Sequence, residues 1–91
     1  MRNKSLIHTK QVRTQSGQTM RLEYYLINDT VLDGCAECYG VEVLARAGST
    51  QSYSGIPYIT MLGTRIFSLI DKLARLDVTP EGLYDVVAEW L

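Results

Sequence analysis

Two cysteines separated by two residues, Cys35-Ala36-Glu37-Cys38, form the one spacing in this chain that suggests chemistry. Two intervening residues let both sulfurs converge, so such a pair can supply half of a tetrahedral zinc site or cycle between dithiol and disulfide. Zinc needs two more ligands. The chain has no third cysteine and only one histidine, His8, so a complete site would need His8 with a carboxylate, or a second chain. A redox pair of the thioredoxin type opens a helix after a strand, where the helix dipole lowers the thiol pKa. Here the turn residues Asp33-Gly34 come first and strand residues follow. Cys35 and Cys38 are therefore expected to be incidental loop cysteines, with a redox or metal role as the lesser alternative. His8 lies among polar residues with no acid or nucleophile beside it in sequence and is expected at the surface.

No other pattern serves catalysis. The serines lack a nucleophile elbow, the glycines form no phosphate-binding loop ahead of a helix, and the carboxylates fall mainly on helix faces. These absences argue against an enzyme, and no cofactor is implied.

Charge is distributed unevenly. The formal net charge is −1, yet Arg2, Lys4, Lys10, Arg13 and Arg21 occur before any acid, whereas from Glu23 onward ten acids face four cations. A basic arm thus precedes an acidic body. The simplest expectation is that the two attract one another or are solvated separately. The functional alternative is nucleic-acid contact by the five cations, a reading that the acidic body opposes.

Six tyrosines offer a third kind of chemistry, that of contact surfaces. Tyr24 and Tyr25 are adjacent on a predicted strand, so their side chains leave opposite faces of a sheet. With Ile27 and Leu44 sharing the outward positions, Tyr25 is expected to belong to an apolar patch that meets a protein partner or a second copy of the chain.

The elements that must position these residues follow from periodicity. Over Thr60 to Leu76 the apolar residues Leu62, Ile66, Leu69, Ile70, Leu73 and Leu76 fall on one helical face, opposite Thr64, Arg65, Ser68, Asp71, Lys72 and Arg75. This predicts an amphipathic helix with Thr60 as N-cap and Asp71 supporting Arg75. Upstream, Ser5 to Arg13 has β-compatible residues but no uniformly apolar face, which suggests an edge strand or a loosely ordered arm within residues 1–19. Met20 to Asn28 and Tyr39 to Ala47 alternate as half-buried strands, with a reversal between Asn28-Asp29 and Asp33-Gly34. Gln51 to Ile56 is a shorter strand that Pro57 should end. Thr79-Pro80-Glu81 opens a second helix, with Leu83, Val86, Val87, Trp90 and Leu91 inward and Glu81, Asp85 and Glu89 as a solvated acidic stripe.

The expected architecture is therefore a single α+β domain over residues 1–91. It is an antiparallel sheet of three to four strands followed by two C-terminal helices packed on one face. Leu62, Ile66, Leu69, Ile70 and Leu73 should be buried against Leu22, Tyr24, Val41 and Val43. No apolar run reaches the ~20 residues needed to span a bilayer, and no signal peptide is apparent, so the expected location is cytoplasmic and away from membranes.

Tyr24-Tyr25-Leu26, Tyr39-Gly40-Val41-Glu42-Val43, Ile70-Asp71-Lys72-Leu73 and Val78-Thr79-Pro80 ahead of a short acidic helix resemble a group of small uncharacterised bacterial proteins, over about residues 22–91. The resemblance implies a cytoplasmic bacterial protein and carries no functional residues with it. The reading that follows is a small non-enzymatic binding or regulatory module acting through protein contact or self-association.

Overall fold

The computed structural model describes residues 2–91, which leaves Met1 outside the described residues. Four antiparallel strands, β1 (Arg2–Arg13), β2 (Thr19–Val31), β3 (Ala36–Ala47) and β4 (Thr50–Thr60), form one sheet in the order β1-β2-β3-β4. Helix α1 (Gly63–Arg75), a 3-10 turn at Pro80–Gly82 and helix α2 (Leu83–Trp90) follow and cover one side of the sheet. This is the α+β arrangement expected from strands first and helices last.

Alternation sorts each strand between an inner face under the helices and an outer face without them. Leu22, Tyr24, Val41, Val43 and Ala45 point inward and meet Ile66, Leu69, Ile70, Leu73 and Ala74 of α1, with Val78, Leu83 and Val87 completing the core. Fully burying a side chain of this size contributes about 1.5–3 kcal/mol, which explains why a helix this short holds its place. The helix begins later than Thr60. That residue closes β4, and its Oγ1 accepts a hydrogen bond from the Leu62 amide at 3.1 Å rather than capping the helix. Leu62 and Leu76, expected on the core face, are exposed because they are the N-cap, with extended backbone, and the C-cap, both outside the regular helical turns.

α1 ends in a Schellman arrangement: the Val78 amide donates to the Leu73 carbonyl and the Asp77 amide to the Ala74 carbonyl. Asp77 occupies the left-handed position, φ 52°, that glycine usually takes. Lys10 on β1 donates to the Ala74 carbonyl at 2.9 Å and pairs with Asp77, placing a cation at the negative end of the helix dipole. The chain then passes beneath Tyr24, whose hydroxyl donates to the Val78 carbonyl at 2.9 Å. Burial, with the Asp77 charge as a second cause, pushes this phenol up from 10 to about 12. A phenol with a raised folded pKa contributes stability that is complete below the unfolded value and is lost as pH rises through the folded one. The stabilisation should therefore fade between about pH 10 and pH 12, and the melting temperature should fall less across that range for Tyr24→Phe than for the parent. At neutral pH the same substitution should cost about 1 kcal/mol for the lost hydrogen bond.

Strand lengths depart from expectation in three places, each for a physical reason. In β1 the pairing shifts between Leu6 and His8, so Ile7 is an extra residue. Before this bulge the even-numbered residues share the outer face, and after it they share the inner one. That switch is why no apolar face ran through Ser5 to Arg13, and it makes residues 2–13 an ordered edge strand rather than a loose arm. Asn28-Asp29 lies inside β2, and the chain reverses at Leu32–Cys35, where Asp33 and Gly34 have φ of 54° and 88°. Pro57 does not end β4, because β4 is an edge strand whose ladder already shifts there: Val41 pairs with Ile56 but Tyr39 with Thr60. Gly40 permits this. A Cβ at Gly40 would lie 2.6 Å from the Pro57 Cα and nearer still to the Ile56 carbonyl oxygen.

The helices cover only part of the sheet. Past Leu26 and Val41 the inner positions become Asn28, Thr30, Tyr39 and Glu37; Tyr39 still packs against the core, and beyond the Asn28–Tyr39 pair the β2–β3 hairpin continues without apolar cover.

Candidate functional site

The outer face gathers most of the residues singled out by sequence. Tyr25, Ile27 and Leu44 point outward as expected, but Ile27 and Leu44 are only 2% and 8% exposed. Long side chains close over this face, because their apolar stems can lie along it while the charged ends stay in water. Arg2 binds Asp29 at 3.0 Å, Lys4 binds Glu42 at 3.2 Å and Arg21 binds Glu23 at 3.0 Å. Tyr58, carried by the β4 irregularity at φ 61°, reaches across the sheet to Arg2 on β1, with its ring 5.8 Å from the guanidinium carbon. The expected open apolar patch is thus corrected: on this face Tyr53 and Tyr58 are the exposed aromatics, while Ile27 and Leu44 lie beneath.

A depression lies on this face. Leu44 lies in it, together with Tyr25, Tyr53, Gln51 and the Lys4–Glu42 pair. The Tyr25 hydroxyl donates to Glu23 at 2.7 Å; this hydrogen bond, more than burial, raises its pKa. A larger hollow follows the outer side of α1, lined by Thr64, Phe67, Ser68, Asp71, Lys72 and Arg75, with Trp90 from α2. A helix is convex, so nearly all of that lining comes from one wall. Two of its side chains are already engaged: Asp71 contacts His8 at 2.8 Å, and the Trp90 ring lies 4.4 Å from the guanidinium carbon of Arg65.

The five arm cations do not act as one group. Arg2, Lys4, Arg13 and Arg21 sit on the outer face, and Lys10 sits on the inner face beneath α1. Asp71, expected beside Arg75, meets His8 instead, a partner 63 positions away that helix spacing could not reveal. Cys35 is exposed in the reversal and Cys38 is buried on the outer face opposite Asp29. Both are free thiols, and no group of three or more metal-ligating side chains occurs among the described residues.

Arg46 is the residue that sequence reading passed over. It lies directly opposite Arg21 on the neighbouring strand, in a row with Gln11 and Gln51. The available signal was its place in β3, but the row depends on register across all four strands.

A family model described as a family of unknown function (DUF6514) matches residues 3–91. The chain belongs to this family. The match includes β1, so the basic strand is part of the shared domain and not an appendage to a region beginning near residue 22. No curated protein and no solved structure matches. No helix among the described residues is long and apolar enough to cross a membrane.

Proposed function

We propose that this family member is a small binding module, without catalytic activity of its own, that acts by protein contact through the outer face of its sheet. The observation that carries the reading is the depression on the side without helices, where Tyr25 and Tyr53 flank Leu44 beside the Lys4–Glu42 pair. Tyrosines supply large rigid contact area at low entropic cost, and Tyr53 is 71% exposed. A bacterial cytoplasmic setting belongs to the same reading, supported by the sequence resemblance and by two unpaired thiols.

Selection from a random-peptide library on immobilised protein, with light scattering on the same preparation, tests it. The expected result is a set of peptides whose binding is weakened by Tyr53→Ser, or a dimer that the same substitution dissociates. A strict monomer at high concentration, with no peptide sensitive to Tyr53→Ser, removes the reading.

A second reading, contact with single-stranded nucleic acid, draws on Arg2, Lys4, Arg13 and Arg21 sharing a face with three tyrosines. It is weaker because Arg2, Lys4 and Arg21 each already hold a carboxylate. Mobility shifts with DNA and RNA at low salt test it, and the absence of any shift ends it.

A further inference from the structure

We infer that the row Gln11-Arg21-Arg46-Gln51 is an anion-recognition site, and that the protein segment taken by the outer face is an extended acidic one. The inference rests on the reading of that face as a protein-contact surface and specifies its partner.

Arg21 and Arg46 are paired across β2 and β3, and like charges in directly opposed positions destabilise a sheet. One carboxylate is near, but both Glu23 oxygens are engaged, one by Arg21 and the other by the Tyr25 hydroxyl. Arg46 is exposed and has no carboxylate partner among the described residues, and the same holds for Arg13 on β1, the strand on the other side of β2. At this end of the face three guanidiniums therefore share one acid. At either end of the row, Gln11 and Gln51 add amide donors. A fold that keeps a repulsive pair beside spare donors is suited to an anion with several acceptor oxygens, which a guanidinium can grip in bidentate fashion.

The depression begins one row away. Gln51 belongs both to the arginine row and to the lining around Leu44, Tyr25 and Tyr53. Leu44 and Arg46 are two residues apart on one strand, a separation of about 7 Å. Side chains at i and i+2 of an extended peptide have the same separation. The preferred segment therefore carries an acid two positions from a large apolar residue and lies along β3.

Charge complementarity selects this partner over the others. Two charges in excess on the face are too few to follow a nucleic-acid backbone, where affinity grows with the number of phosphates neutralised. A second copy could offer the acidic stripe formed by Glu81 of the 3-10 turn with Asp85 and Glu89 of α2, but that stripe lies on the helix layer. Joining it to the outer face of another molecule makes a head-to-tail contact that need not close.

The test uses the full chain and fluorescein-labelled peptides repeating Glu-Ser-Leu-Ser, read by fluorescence polarisation. Matched peptides carry Lys for Glu, phosphoserine for Glu, or an extra serine on each side of every Leu, which breaks the i, i+2 spacing in both directions. Oligo-dT and oligo-U are measured alongside. The acidic peptide should bind with an affinity that falls as salt rises, and the lysine and respaced peptides should bind at least about tenfold more weakly. Arg46→Ser should also weaken binding about tenfold or more while leaving the melting temperature unchanged or raising it, because the repulsive pair is gone. Tighter binding of the phosphoserine peptide assigns the anion as phosphate on a protein, within the proposal. Binding of the oligonucleotides alone, no binding at all, or affinity unaffected by Arg46→Ser overturns it. Library peptides that need Tyr53 but carry no acid would overturn this inference and leave the protein-contact reading standing.

Discussion

Gly40→Ala should destabilise the domain by about 3 kcal/mol, the upper end of what single substitutions usually remove. The added methyl would meet backbone, not a side chain that could swing aside: the Pro57 Cα lies 2.6 Å from its position and the Ile56 carbonyl is closer. The sheet must then either part at β4 or give up the irregularity that carries Pro57 and Tyr58. Both outcomes loosen the edge strand and withdraw Tyr58 from Arg2. Gly55→Ala, one pair away, is the control. Its nearest neighbour would be the Val41 carbonyl at 3.5 Å, an ordinary contact. Urea unfolding of both variants should show a large fall in midpoint for Gly40→Ala and little change for Gly55→Ala. Equal effects would show that Gly40 is not demanded by the crossing of β4.

Leu69→Ala or Ile66→Ala should cost about 2–5 kcal/mol, because each removes a fully buried side chain and leaves a cavity between α1 and the sheet. A domain of this length holds only about 5–14 kcal/mol in total, so either variant should melt far below the parent. Leu62→Ala separates burial from sequence periodicity. Leu62 shares the apolar spacing of the helix but sits exposed at its N-cap, and its loss should stay within about 0.5 kcal/mol. Thermal melting unchanged in both core variants would contradict the helix–sheet packing.

What the sequence made legible was what depends on neighbours along the chain. The wheel of Ile66, Leu69, Ile70 and Leu73, the alternation through Leu22 and Tyr24, and the order of strands and helices all follow from local spacing. Features that depend on two segments meeting were not legible. Ile7 reads as one more β residue until its partner strand shows that it is surplus. Pro57 reads as a terminator until β4 proves to be an edge that bends around Gly40. Asp71 meets His8, and Lys10 meets Asp77, across more than sixty residues of chain. Outward direction was legible for Ile27 and Leu44, but their covering was not, because charged chains from other strands supply it. The Arg21–Arg46 pair behind the proposed site belongs to the same class.

The partial covering of the sheet gives the molecule a root and a free end. α1 is about 20 Å long, whereas the Cα trace extends 48 Å. The β2–β3 hairpin beyond Asn28 and Tyr39 therefore projects like a springboard clamped at one end. Its residues are held by the ladder and by surface pairs such as Arg2 with Asp29, which solvent screens. Bending or fraying at the Leu32–Cys35 tip need not disturb a single residue under α1, so opening free energies should be graded along the strands. Thr30 and Glu37 would exchange their amide hydrogens by small local motions, and Tyr24 and Val43 only when the whole domain unfolds. Cys35 and Cys38 ride on the compliant part, where a thiol can gain access to solvent without cost to the core.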